Sequence, residues 1–166
     1  MNSTMRSRRY TTILLTAMLL LPSTLAHGTL YPLALPAMVS RSDFIVVGTV
    51  KKIVVEKEKT DTRPLPGARV TISVNQLIKG NLPRAIEINT DPDFMEEAIF
   101  AQHEHTLLFL QRTRTGYAVV QGFMGKIPIT KGIAGPVHLI QQPEQIPVEK
   151  LLAEINAILK GEPKRP

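Results

Sequence analysis

Between residues 44 and 129, Val, Ile and Leu gather in short runs, some alternating with polar residues and some unbroken, and these runs constrain the fold more than any other feature. In RVTISVNQLIKG, residues 69–80, Val70, Ile72 and Val74 alternate with Thr71, Ser73 and Asn75. A period of two buries one set of side chains and leaves the other in solvent, which is strand geometry and not helix geometry. FIVVGTVKKIVV, residues 44–55, has a different pattern, because its first half is apolar at every position. A strand of that kind is expected to be covered on both faces. Gly48 in its middle predicts a bulge or a close backbone approach. Lys51 and Lys52 predict that the strand then runs out into solvent.

The segments between these strands are punctuated by turn residues. EKEKTDTRPLPGA, residues 56–68, is charged and then rich in Pro and Gly, which predicts a long exposed loop. Gly80, Asn81 and Pro83 close the second strand, and Ile86 and Ile88 supply a short third one. TDPDF, residues 90–94, is a turn cluster, and residues 95–100 read equally as strand or loop. TLLFLQ, residues 106–111, is a buried strand, RTRTG turns at Gly116, and YAVVQ, residues 117–121, returns as its hairpin partner. Another strand follows Gly125, with Pro128 pushing it to a sheet edge, and residues 131–136 read as loop.

Upstream, HGTLYPLALP, residues 27–36, is broken by Pro32 and Pro36 and reads as an extended arm. Residues 37–42 form a short turn of helix before Asp43 leads into the first strand. Downstream, Val148, Leu151, Leu152, Ile155 and Leu159 recur at steps of three and four, the stripe of an amphipathic helix. Pro147 suits its first position and Gly161 its C-terminal cap. Glu149 and Glu154 balance Lys150 and Lys160, so this helix is expected to pack on the sheet rather than lie on a membrane. The fold class is therefore mainly β: five or six strands in a small antiparallel barrel or sandwich, with one C-terminal α-helix. The expected division is an arm over residues 27–43, a barrel core over 44–130, and a loop with the helix over 131–166.

Residues 1–26 read as a signal peptide. Arg6, Arg8 and Arg9 precede the apolar run YTTILLTAMLLL, residues 10–21. That run is shorter than the roughly 20 apolar residues of a spanning helix. Pro22 ends it, and Thr24 and Ala26 are small residues where a signal peptidase reads. Cleavage after Ala26 leaves 140 of the 166 residues and no integral membrane segment. A retained membrane anchor is the alternative. SRRYTT, residues 7–12, resembles a twin-arginine signal, but Thr11 and Thr12 stand where a hydrophobic pair is needed, which favours the general secretory route. The expected location is secreted or periplasmic.

All 14 acidic residues follow residue 26, whereas three of the 20 basic ones precede it. The remainder therefore holds 17 basic against 14 acidic residues, a net charge of +3. That mild balance gives no reason to expect a nucleic-acid partner, and basic and aromatic residues do not interleave as base stacking needs. The absence of cysteine excludes disulfides, thiolate zinc sites, thiol nucleophiles and lipidation at an N-terminal cysteine. A chain of this length buries about two-thirds of its unfolded surface and needs no such staples.

AQHEHTLLFLQ, residues 101–111, is the stretch most like a site. If a strand begins near Glu104, alternation puts His103 and His105 on one face, where two imidazoles can share a zinc or copper ion. A stable site needs a third ligand; His27, His138, Asp91 and Asp93 are available, none at a recognised spacing. The favoured reading is that both histidines are polar residues in the turn before a buried strand. His27, once N-terminal, could chelate copper through its amine and ring, as in copper monooxygenases acting on polysaccharides. The chain, however, has no tryptophan for a flat sugar-binding face. DPDFMEE, residues 91–97, holds four acids but lacks calcium-loop spacing and reads as a solvated loop. No nucleophile elbow, phosphate loop or metalloprotease helix occurs, so no catalytic or cofactor-binding residue is assigned.

SRSDFIVVGTV, VTISVNQLIKG, HEHTLLFL and YAVVQGFMGKIPI occur in that order over about residues 40–130. They resemble a broad group of small secreted bacterial proteins of unknown function, with strands of the forms AD-IVVGTV, V-x-V-x-x-x-LKG and GE-x-x-LLFL and a hairpin ending in QGKF-x-V. That group is similar in topology to the OB-fold-like barrels of netrin-like modules and tissue inhibitors of metalloproteinases. The resemblance implies an OB-fold-like barrel and carries over no catalytic residue. His103 stands where the group has a turn glycine, so the turn is not expected to require a left-handed glycine there. TDPD replaces the glycine pair usual after the third strand.

The function these features favour is a secreted, non-enzymatic binding or interaction module. An unknown protein partner would be met through the loops at residues 56–68 and 91–97, since loops on a rigid scaffold carry function. The alternative is a metal-binding protein or metalloenzyme using His103 and His105.

Overall fold

The structure is a computed structural model that describes residues 32–55, 67–90, 97–139 and 144–161. The segment read as a signal peptide, the candidate ligands His27, Asp91 and Asp93, and almost all of the loop at residues 56–68 lie outside these residues. Helix α1 (Leu35–Arg41) leads into β1 (Phe44–Val55), β2 (Ala68–Lys79) and β3 (Ala85–Thr90). Then come β4 (His105–Thr113), β5 (Gly116–Val119), a 3-10 turn (Gly122–Gly125), β6 (Lys126–Thr130), β7 (Ile133–Ala134), β8 (Ile146–Pro147) and helix α2 (Val148–Leu159).

β1 pairs antiparallel with β2 on one side and with β4 on the other, from Phe44 opposite Leu110 to Thr49 opposite His105. β2 pairs with β3, β4 with β5, and β5 meets β3 in the parallel sense at Ile88 and Tyr117. The ring β1-β2-β3-β5-β4 returns to β1 and closes a five-stranded barrel. Of the two architectures the spacing allowed, the chain takes the barrel, which satisfies strand edges by closure. The eight strands among the described residues exceed the expected five or six because β7 and β8, two residues each, extend the sheet beyond β6. β7 lies where the sequence read as loop, since two residues carry no periodicity.

The run of unbroken apolar residues in β1 has a direct cause. Phe44, Val46 and Val50 belong to the barrel interior with Ile72, Ile88 and Leu108. Ile45 and Val47 belong to a second core outside the barrel wall, with Leu107, Phe109 and residues of both helices. Each face of β1 is therefore buried against a different partner. Lys51 and Lys52 lie beyond this cover and are exposed. Gly48 fulfils both readings of its position. The register with β2 shifts between Val47 and Gly48, and a Cβ there would stand 2.6 Å from Ile72 Cγ2 and 3.0 Å from the Ser73 carbonyl.

The outer core is roofed by the helices. Leu151 and Ile155 of α2 and Leu35, Met38 and Val39 of α1 bury into it, as the stripe of α2 predicted, except that Leu159 is exposed and Ile158 packs against the core in its place. The N–H of Val148 is satisfied by the Gly132 carbonyl at 2.9 Å, which caps α2 in place of a side chain. Gly161 follows α2 with φ of 71°, the left-handed residue that ends a helix. α1 starts two residues before the expected turn of helix, at Leu35, because a proline is tolerated in the first helical turn. The Lys79 ammonium donates to the Val39 and Ser42 carbonyls at 2.8 and 2.5 Å and ties the end of α1 to β2.

Pro128 does not hold β6 at an edge. β6 lies between β4 and β7, pairing with β4 through Lys126–Pro128 and with β7 through Ile129 and Thr130. The proline sits where pairing passes from one neighbour to the other, so its missing N–H interrupts neither ladder.

Candidate functional site

The His103–His105 stretch is built by a turn against β1. The Glu104 N–H donates to the Ala101 carbonyl at 3.1 Å, closing a four-residue turn with His103 in its third position. The His103 N–H donates to the Val50 carbonyl at 3.0 Å, and the Val50 N–H to the Glu104 carbonyl at 2.9 Å. His103 has φ of 65°. The turn thus does take a left-handed residue, although not a glycine. Histidine takes the left-handed conformation more readily than most side chains, so it can replace glycine there. β4 begins at His105, so the strand alternation meant to align the two histidines does not reach His103.

The His103 side chain is exposed, and those of Glu104 and His105 turn to different neighbours. His105 Nδ1 lies 3.2 Å from Thr49 Oγ1, whose hydroxyl donates to Asn75 Oδ1 at 2.8 Å. A hydroxyl that spends its proton on Asn75 must accept from Nδ1–H, which leaves the lone pair on Nε2. Glu104 turns to β6 and uses both carboxylate oxygens internally. Oε1 pairs with the Lys126 ammonium at 2.6 Å, and Oε2 accepts from the Ala101 N–H at 3.0 Å. His138, the third candidate ligand among the described residues, stacks edge-to-face on Phe123 with centroids 5.4 Å apart. Among the described residues, no three His, Asp or Glu side chains gather where they could hold a metal ion.

A groove of about 380 Å³ runs along β6, a site that sequence reasoning missed. Phe123 and His138 form one wall, Pro128 and Pro136 line it, and Glu97, Ile99 and Lys126 complete it. Lys126 positions the segment from Ile99 to Glu104. Besides Glu104, its ammonium donates to the Ile99 carbonyl at 2.6 Å and stands 5.3 Å from the Phe100 ring centroid. Lys126 and Glu104 are each only 13% exposed, so this clamp is shielded from solvent. Ile99 is 69% exposed although its backbone is held.

The strand ends define two ends of the barrel. Val55, Ala68 and Thr90 are register partners in one row. The segments 56–67 and 91–104 thus both start from this row, with the groove of Ile99 on the second of them. Phe44 begins β1 at the other end. Among the described residues no helix is long and apolar enough to cross a membrane. No family model, curated protein or solved structure matches the chain.

Proposed function

We propose that this chain is an exported, non-enzymatic binding module of the periplasm or cell exterior, processed after Ala26, that meets a protein partner at the Val55–Ala68–Thr90 end of its barrel. The observation that carries this reading is the shared origin of both nominated loops in one row of register partners. A closed barrel fixes the spacing of its strand ends, so the points from which the two loops leave it lie side by side. On the segment that follows Thr90, the clamped Ile99 displays a large apolar side chain next to an aromatic and prolyl groove, and exposed apolar patches mark contact sites. The hydrophobic N-terminal run behind three arginines supports export. The barrel architecture also supports the likeness to OB-fold-like, netrin-like secreted proteins, which enters this reading as a proposal.

Photo-crosslinking residues introduced at Ile99 and Val55 test it, with Leu159 on α2 as the comparison position. In the producing cells, one discrete adduct from Ile99 and Val55 but none from Leu159 is the expected result. Equal labelling from all three positions, or a chain retained uncleaved in the cytoplasm, would count against it.

A second reading, a zinc or copper protein built on His103 and His105, rests on one observation. Nδ1 of His105 is tied to Thr49, the arrangement that readies Nε2 to ligate. Stoichiometric metal in the purified protein, lost with His105→Ala, would favour it over the binding module.

A further inference from the structure

We propose that the barrel end opposite the two loops binds a phosphate group, with the Arg112 guanidinium as its central contact. The Arg112 guanidinium carbon stands 5.3 Å from the Phe44 ring centroid and 5.8 Å from that of Tyr117. Those two rings meet edge-to-face, 5.5 Å apart, so they form a fixed platform. Stacking on ring faces leaves the N–H edge of a guanidinium available, and it removes side-chain freedom before any ligand arrives. Asp43 makes no ion pair with this head group. Its Oδ2 accepts from the backbone N–H of Arg112 at 2.8 Å and fixes the main chain.

Three further arginines belong to segments that end here. Arg41 closes α1 two residues before Asp43, Arg114 forms the turn between β4 and β5, and Arg84 precedes β3. The β2–β3 turn is held against this platform. A Cβ on Gly80 would stand 2.5 Å from Phe44 Cδ1, and Leu82 packs on the cluster that contains Phe44. The β4–β5 turn is held against β3, since the Cβ position of Gly116 lies 3.4 Å from the Glu87 carbonyl. All four arginines are exposed, and none has an ion pair among the described residues. On these same segments the acids are Asp43 and Glu87. Arginine rather than lysine at every one of these positions suits a phosphate, whose several oxygens accept paired N–H donors from more than one planar fork. The phosphate could belong to a small soluble ester or to a lipid headgroup.

The purified chain is titrated with inorganic phosphate while the Arg112 Nε–Hε resonance is followed. In parallel it is sedimented with phosphatidylcholine vesicles, with and without phosphatidylglycerol. A saturable shift with phosphate identifies a soluble ester, and sedimentation only with the anionic vesicles identifies a headgroup; both support the proposal. Arg112→Lys keeps the charge but loses the fork, and is expected to weaken the observed binding about tenfold with thermal unfolding unchanged. Should that variant fail to fold, Arg114→Gln is expected to weaken binding severalfold. Lys51→Gln with Lys52→Gln, at the far end of β1, is expected to leave binding unchanged. The proposal is overturned if neither probe binds or if the lysine variants weaken binding as much as Arg112→Lys. It is also overturned if only a single-stranded oligonucleotide binds.

Discussion

Leu108 and Phe109 are adjacent in β4, both are fully buried, and they belong to different cores. Leu108 points into the barrel with Val46 and Ile72, and Phe109 points out beneath α1 and α2 with Ile45 and Leu151. The same division runs through β1. These two paired strands form a wall between two apolar layers, which is why both segments are apolar at consecutive positions.

Each layer should respond to its own truncation. Leu108→Ala is expected to cost about 2–5 kcal/mol and Phe109→Ala about 3–5 kcal/mol, because each leaves a cavity in a fully buried site. Native-state hydrogen exchange distinguishes the two layers. Phe109→Ala is expected to raise exchange in α2 more than in β3, and Leu108→Ala to do the reverse.

Gly48→Val tests the close approach of β1 to β2. Its branched side chain would meet Cγ2 of the fully buried Ile72 and the backbone carbonyl of Ser73. A loss of about 1–3 kcal/mol in denaturant unfolding is expected. Ser73→Gly would not relieve it, because the contact on Ser73 is with the backbone.

The Lys126–Glu104 clamp is shielded, so breaking one side should cost more than an exposed pair would. Glu104→Gln is expected to destabilise the chain by about 1–3 kcal/mol, since it leaves the Lys126 charge without its counter-ion. Adding Lys126→Met should recover part of that stability while raising amide exchange near Ile99, whose carbonyl then loses its donor.

His105 should be the Nδ1–H tautomer when neutral, because the Thr49 hydroxyl spends its proton on Asn75. Its ring ¹⁵N shifts report this directly. Thr49→Val should release the preference and destabilise the fold by about 1 kcal/mol. An Nε2–H ring in the parent chain would contradict the hydrogen-bond direction.

Much of this architecture was legible in the residues, and the rest was not, for physical reasons. The strand identities came from the alternation of Val70, Ile72 and Val74, and the double cover of β1 from its unbroken apolar run. Closure was not legible. It depends on β1 meeting β4, where Phe44 opposes Leu110 across more than sixty residues that contain no local signal. His103 did not reveal its left-handed turn because glycine is the usual residue there, yet a histidine side chain tolerates that region. Pro128 misled because a change of pairing partner can hide a missing donor as well as a sheet edge can. The groove escaped notice because Ile99, Phe123, Pro128 and His138 come from separate segments, each unremarkable alone. The arginine platform escaped for the same reason, since Phe44 and Tyr117 meet only in the fold.

Closure of the barrel underlies both the loop-bearing end and the arginine-bearing end. Cross-strand amide and α-proton contacts of β1, measured by NMR, test it most directly. Contacts from Ile45 to Phe109 and from Val47 to Leu107, alongside those from Val47 to Gln76, are the expected result. Contacts from β1 to β2 alone, with none to β4, would mean an open sheet and would contradict the barrel.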